Sequence, residues 1–248
     1  MIQRQAHLPY EVGTSSCWGL TDFRAHDNYP MRSPMVVADF LASKLAYGAS
    51  FAEVGTRDGD IIACVSKLAV RVRAVAVEQS PRRCEVLRQR GVVAVQRQVN
   101  ETSYLEVLPT ADVWYYWGIT NTNQQMVRWI DRAMRARGRA GTVYLGFDWH
   151  YPGDRKDFST QVLEFRKMNR TARIHRLFFD EQGASREGME TEPAIAPSGM
   201  QLPGYLKPFA KRPGAWGVFH LLGVEVGLGQ RPLMINSAGA TATIRPAL

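Results

Sequence analysis

The feature that most constrains this chain is an apolar segment that runs into a turn with two glycines and is followed by a carboxylate. Residues 50–54 end at Gly55, a second glycine follows at Gly59, and the next apolar segment ends at Glu78. A strand, a glycine turn, a helix and a second strand ending in a carboxylate are how α/β folds build a nucleoside site. The turn exposes backbone N–H groups, and the carboxylate can accept two hydrogen bonds from a ribose diol. The sequence therefore predicts a nucleoside-binding α/β domain.

The spacing of the glycines disfavours a dinucleotide. A dinucleotide turn needs glycine at its first, third and sixth places, so that the backbone can approach the pyrophosphate. Those places hold Gly55, Arg57 and Asp60. The Arg57 side chain would crowd the phosphates, and the carboxylates of Glu53, Asp58 and Asp60 would repel them. A nicotinamide-dependent oxidoreductase is accordingly the weakest of the nucleoside-binding alternatives.

The same acidic turn suits a ligand that carries a sulfonium and an ammonium group. Here the chain resembles the class I, Rossmann-like S-adenosylmethionine-dependent methyltransferases, whose first motif reads acidic-x-Gly-x-x-x-Gly and is matched by Glu53, Gly55 and Gly59. The sequence departs from the family at Arg57, where many members carry a further glycine. The resemblance covers roughly residues 36–228, judged by the order of elements as well as by the motif.

The resemblance implies S-adenosylmethionine as cofactor and a set of binding positions on the turns that follow the strands. In the family, the turn after the first strand lies under the methionine part, and the acidic residue matched by Glu78 holds the ribose hydroxyls. Residues beside Glu78 and in the loop after the third strand face the adenine ring. An aromatic side chain after the fourth strand could attract the sulfonium, although packing in the core explains it equally well. The expected cofactor-binding residues are Glu53, Gly55, Thr56, Arg57, Asp58, Gly59, Glu78, Gln79, Val99, Asn100 and Trp117.

Apolar segments alternate with helical patterns along the chain. Strands are predicted at 50–54, 72–77, 92–95, 111–116, 142–147, 173–179 and 216–226. The alternation with helices indicates a doubly wound parallel sheet. No convincing helical pattern separates the last two strands, and the Gly, Pro and Ser-rich passage from Gln182 to Gly214 is predicted to be a loop insertion. The predicted fold is therefore α/β, with a seven-stranded, mostly parallel sheet whose last strand is antiparallel, as in the class I methyltransferases.

Three segments are expected in the chain. Residues 1–35 are polar and aromatic without a period and form an N-terminal lid or a structural wrap. Ser33-Pro34 opens a helix expected to reach about Tyr47. The methyltransferase-like domain spans 36–228, and residues 229–248 form a C-terminal tail without periodicity.

Candidate catalytic residues follow the fifth strand at Asp148 and His150. A histidine near neutral pKa could accept a proton from a hydroxyl or nitrogen acceptor, and a carboxylate could orient it; a loop histidine with a purely structural hydrogen bond is the alternative. A magnesium or calcium site from Asp148, Asp154 and Asp157 is disfavoured, because a matching carboxylate after the fourth strand is lacking. No metal is predicted. The Asn or Asp, Pro-Pro, aromatic signature of amino methylation is also absent.

The composition indicates which further classes of protein the chain could belong to. The 248 residues are 45% hydrophobic, enough for one sizeable core, and no segment approaches the roughly 18 apolar residues of a membrane helix. We expect a soluble, cytoplasmic protein. The net charge of +8 is spread along the chain and permits a nucleic-acid partner without supporting one. Cys17, Cys64 and Cys84 match no metal spacing and predict no disulfide framework.

Together these features predict a methyltransferase that uses S-adenosylmethionine and acts on a small-molecule acceptor. The alternative is a non-catalytic domain of the same fold that serves as a binding module, including an RNA-associated one. The acceptor and the oligomeric state are left open by the sequence.

Overall fold

The computed structural model describes residue 33 and residues 36–57, 59–118, 120–147, 162–179, 190–193 and 217–227. In chain order, the strands in this part are β1 Ser50–Val54, β2 Arg73–Glu78, β3 Val93–Gln96, β4 Val113–Tyr116, β5 Gly141–Phe147, β6 Ala172–Phe179, β7 Glu190–Pro193 and β8 Gly217–Val226. The helices are α1 Val36–Ser43, α2 Asp60–Leu68, α3 Pro81–Gln89, α4 Tyr104–Val107, α5 Thr120–Ala136 and α6, whose described part is 162–167.

All of these strands join one sheet in the order β3-β2-β1-β4-β5-β8-β6-β7. Strands β1 to β5 pair in parallel, whereas β8 runs antiparallel to both of its neighbours, β5 and β6. The doubly wound, mostly parallel sheet with a reversed strand near the end of the chain is therefore confirmed. Its parallel strands bring the turns after β1, β2 and β4 to one edge.

The sheet has one strand more than the sequence predicts. Strand β7 lies inside the passage expected to be a loop and pairs antiparallel with β6 at the edge of the sheet. Its sequence, Glu190-Thr-Glu-Pro193, has no alternation of apolar and polar residues. An edge strand, which pairs on one side only, does not need such a pattern. Proline, which cannot donate a hydrogen bond, is tolerated at such an edge. The seven expected strands are present, and β7 extends them.

Local sequence explains how the turns around the sheet form. Ser80 caps α3 by accepting a hydrogen bond from the Arg83 N–H at 3.5 Å, and Pro81 occupies the first turn of the helix, as the sequence predicts. After this helix, Gly91 takes a positive φ of 76°. Helix α1 ends at Ser43, earlier than expected, where the Ser43 hydroxyl donates to the Phe40 carbonyl at 2.6 Å.

The sheet is buried on both faces. Every residue of β1 is buried, which is the pattern expected of a central parallel strand. Helices α1, α2 and α3 cover one face, and α4, α5 and α6 cover the other. The hydrophobic cluster on the face covered by α1, α2 and α3 includes Phe51, Ile62 and Leu87. The cluster on the other face includes Trp114, Ile130 and Phe165.

The cysteines depart in part from the expectation. Cys84 is a free, buried thiol that donates to the Glu78 carbonyl. Cys64 is buried in α2 as expected, but it is disulfide-bonded, which corrects the prediction that the chain forms no disulfide. Its partner lies outside the described residues. An odd cysteine count says nothing about which two side chains the fold brings together.

None of the helices in the described part of the chain has the length and apolarity needed to cross a membrane. The expected lid, apart from Ser33, and the expected tail lie outside the described residues.

Candidate functional site

The two glycines of the turn after β1 have positive φ values but different surroundings. At Gly55, φ is 68°, the N–H donates to the Val77 carbonyl at 2.8 Å, and an added Cβ would meet none of the described residues within 4 Å. At Gly59, φ is 76°, and a Cβ would lie 2.2 Å from Leu87 Cδ2. Gly59 therefore lets α2 pack against α3, whereas among the described residues nothing fills the space above Gly55.

Arg57 also takes a left-handed conformation, with a φ of 53°. For a residue with a Cβ this conformation costs about 1 to 2 kcal/mol, which the glycine of many methyltransferases avoids. The conformation directs the Arg57 N–H to Glu78 Oε2 at 3.1 Å. Thr56, next to it, is buried. The turn after β1 is thus joined directly to the end of β2.

Glu78 is held rigidly at the end of β2. Its side chain is 3% exposed, Oε2 accepts from the Arg57 N–H, and Oε1 accepts from the Ser80 N–H at 2.9 Å. Each carboxylate oxygen has a second lone pair, so the group keeps acceptor capacity for a diol. Gln79, which follows it, is exposed. The carboxylate is positioned before any ligand arrives.

Glu53 lies in β1 below the same turn and is 6% exposed. Its buried Oε2 has no hydrogen-bond partner in the described part of the chain. Burial raises the pKa of the Glu53 carboxyl well above its usual range; the Ile62 N–H opposes the shift, and the nearby Asp60 and Glu78 add to it. Glu53 is thus a second acidic group beside Glu78, and its Oε2 has no hydrogen-bond partner among the described residues.

Asp60 contributes less negative charge to the site than the sequence suggests. It forms an ion pair with Arg90 at 2.6 Å, and both side chains are largely buried. This pairing offsets one of the three carboxylates expected to repel a pyrophosphate, and Asp58, another of them, lies outside the described residues. Glu53 is the carboxylate in this turn that keeps an unpartnered oxygen.

The loop after β3 contains the expected adenine-facing residues. Val99 is half-buried against the core. Asn100 Oδ1 accepts from the N–H groups of Thr102 and Ser103, both at 3.0 Å, and so shapes the turn into α4. This role was missed from the sequence, although Asn followed by Ser three residues later is a signal for such a turn. That either residue lies beside adenine stays a prediction.

Aromatic side chains lie at and just after the end of β4. Trp117 is half-buried and packs edge-on against Phe219, with ring centroids 6.4 Å apart. The Tyr115 hydroxyl is 2.5 Å from the hydroxyl of Ser33, which precedes α1. The packing against Phe219 gives Trp117 a core role, and its contact with a ligand stays a prediction.

The two candidate catalytic residues, Asp148 and His150, lie outside the described residues. Within the described ranges, no three His, Cys, Asp or Glu side chains are grouped so that they could hold a metal ion.

No protein-family model matches the chain, and no curated protein matches it. Among solved structures, it is similar to precorrin-6y C5,15-methyltransferase from Geobacter metallireducens, with a TM-score of 0.51 and 13% identity over 89% of this chain and 98% of that one. It is also similar to a precorrin 8w decarboxylase from Methanobacterium thermoautotrophicum (TM-score 0.48, 15% identity, 80% and 93% covered). A putative RNA methyltransferase from Pyrococcus horikoshii matches as well (TM-score 0.47, 11% identity, 85% and 96% covered). The chain has the class I methyltransferase fold.

Proposed function

We propose that this chain is an S-adenosylmethionine-dependent methyltransferase that acts on a small-molecule acceptor in the cytoplasm. The observation that carries the proposal is the pair of buried carboxyl groups, Glu53 and Glu78, beside the open space above Gly55. This arrangement suits a ligand with a cationic group and a diol, and it opposes a pyrophosphate.

The residues present fit this cofactor. Glu78, fixed by two backbone N–H groups, would accept hydrogen bonds from the ribose hydroxyls. The unpartnered Glu53 Oε2 would face the ammonium end, and Gly55 would admit the methionine part. When bound, S-adenosylmethionine supplies a methyl group already activated on a sulfonium centre. The protein's main task is then to position the acceptor in line and to exclude water.

The acceptor side of the proposal rests on the residues that follow β5 in the sequence. His150 would remove a proton from a hydroxyl or nitrogen acceptor, and Asp148 would orient it. Trp117 and Phe219, in edge-on contact, would form an apolar wall near the end of β4. The proposal therefore assigns cofactor binding to β1 and β2 and acceptor chemistry to β4 and β5.

Isothermal titration calorimetry with S-adenosylmethionine, S-adenosylhomocysteine and NAD tests this function. We expect the first two to bind and NAD not to bind. The Glu78→Ala variant should bind S-adenosylhomocysteine about 10- to 150-fold more weakly, which corresponds to the about 1.5 to 3 kcal/mol of hydrogen bonds to a charged group. Glu106→Ala, which removes an exposed carboxylate on α4, is the matched control.

Thermal unfolding of each variant would establish that it is folded before binding is compared. Failure of both sulfur ligands to bind would contradict the proposal. Unchanged affinity in folded Glu78→Ala would show that the ribose lies elsewhere. Binding with no methyl transfer to any member of an acceptor panel would favour the non-catalytic alternative.

A further inference from the structure

The unpartnered oxygen of Glu53 sets this side chain apart from the other buried carboxylates described. Asp131 and Glu78 have hydrogen-bond partners for both oxygens. Glu53 accepts from the Ile62 N–H, while Oε2 is buried and bonds to no group in the described residues. Leaving a charged oxygen in that state costs more than leaving a neutral one.

Burial and two nearby carboxylates disfavour a negative charge on Glu53, and the Ile62 N–H of α2 is the one favourable contact described for it. From α2 it faces Asp60, whose charge is partly offset by Arg90; from β2 it faces Glu78, and from β4 the Tyr115 hydroxyl, which is itself bonded to Ser33. Tyr115 is the register partner of Glu53 in the neighbouring strand. Within the described ranges, Glu53 forms no ion pair with a lysine or arginine. Burial and the two nearby carboxylates together raise the Glu53 pKa.

An ammonium group is the ligand chemistry that would reverse this balance. It would supply the missing donor to Oε2 and a positive charge to offset those of Glu53 and Glu78. The open space above Gly55 gives such a group access to the turn. Because the favoured protonation state then differs between the free and the bound protein, binding must be linked to a proton.

We propose that Glu53 carries a proton in the ligand-free protein and releases it to solvent when an ammonium group binds at the turn. In this step the carboxylic O–H bond breaks, the proton passes to the buffer, and Oε2 accepts an N–H from the ammonium, which keeps its three protons. The inference rests on the proposed function, since the amino-acid part of S-adenosylmethionine would provide that ammonium group.

Calorimetry at pH 6.5 in two buffers of different protonation enthalpy measures the released proton. At this pH an α-ammonium group is mostly charged, since its pKa is near 8. S-adenosylhomocysteine, which has the ammonium group, should release a proton, so its binding enthalpy should differ between the two buffers. 5′-Methylthioadenosine, which keeps the nucleoside and lacks the amino acid, should release none. Equal binding enthalpies for S-adenosylhomocysteine in the two buffers would overturn the inference.

The Glu53→Gln variant is a neutral isostere of the protonated side chain and should fold. We expect it to bind S-adenosylhomocysteine at least tenfold more weakly without proton release, and to bind 5′-methylthioadenosine as the parent does. The control Glu106→Gln should change neither ligand. Proton release that persists in Glu53→Gln would assign the proton to another group and overturn the inference.

A ligand-free measurement separates this inference from the proposed function. Infrared difference spectra of the parent minus Glu53→Gln at pH 6.5 should contain the carbonyl band of a protonated carboxylic acid. A carboxylate band in its place would overturn the inference whether or not any ligand binds. Failure of both nucleosides to bind, with the carboxylic acid band present, would contradict the proposed function alone.

Discussion

At the scale of single residues, the two glycines of the turn are expected to respond differently to a methyl group. Both have positive φ, so alanine at either position should cost about 1 to 2 kcal/mol of backbone strain. Gly59→Ala should cost about 1 to 3 kcal/mol more, because its Cβ would overlap the buried Leu87 side chain. Urea unfolding of the two variants measures the difference.

Binding of the ligand should rank the same two variants in the opposite order from stability. Gly55→Ala would place a methyl group in the open space above the turn, so it should weaken S-adenosylhomocysteine binding more than folded Gly59→Ala does. Gly55→Ala and Gly59→Ala with equal stabilities and equal affinities would contradict the separate roles given to the two glycines.

The residue scale also shows why only part of the site could be predicted. Gly55, Gly59 and Glu78 belong to short segments whose pattern carries its own signal. The Asp60–Arg90 ion pair joins residues thirty positions apart, and no local pattern indicates it. The disulfide of Cys64 likewise depends on which elements come into contact. Residues fixed by long-range contacts were therefore the ones that the sequence left undetermined.

At the scale of elements, Asp131 connects α5 to two neighbouring segments. Its Oδ1 accepts from the Gly227 N–H at 2.8 Å, just after β8, and its Oδ2 accepts from Arg135 at 3.0 Å and from Arg170, which precedes β6. Asp131→Asn should lower the free energy of unfolding by about 2 to 4 kcal/mol, because it leaves the largely buried Arg170 without its charge partner. Chemical denaturation measures this loss.

The matched control is an ion pair whose nitrogen–oxygen distance is similar to that of Asp131 and Arg135 but whose side chains are more exposed. Glu164 and Lys167 pair at 2.7 Å on α6, where the lysine side chain is 72% exposed. Glu164→Gln should change the stability by less than about 0.5 kcal/mol. Similar losses in Asp131→Asn and Glu164→Gln would show that Asp131 does not connect the elements as argued.

The elements that the sequence identified are those whose stability comes from burial in the sheet. Strand β1 was predicted with its observed bounds because its run of buried residues ends at a glycine. Helix α4, with four residues, is too short to display a period and was missed. Strand β7 was missed because it depends on pairing with β6 and not on an apolar pattern.

At the scale of the whole molecule, the sheet buries a histidine, and this burial makes the stability of the protein depend on pH. His175 in β6 is 5% exposed and lies between the rings of Phe40 and Tyr144, with centroid distances of 4.9 and 5.6 Å. Burial, with smaller contributions from the nearby Lys44 and Arg173, lowers the pKa of His175 to about 4. The folded protein therefore keeps this histidine neutral over most of the acidic range.

Between pH 6.5 and about 4, the unfolded chain takes up a proton on His175 that the folded protein does not. The stability should therefore fall as the pH decreases through this window, by about 2 to 3 kcal/mol for this group. His175→Gln cannot take up that proton, so the stability of this variant relative to the parent should rise toward pH 4. Urea unfolding at several pH values in this window measures the difference in the free energy of unfolding between the two proteins. Glu53 is present in both, so its own titration cancels in that difference. Parallel pH profiles for the parent and His175→Gln would show that His175 takes up its proton at the same pH in the folded core as in the unfolded chain.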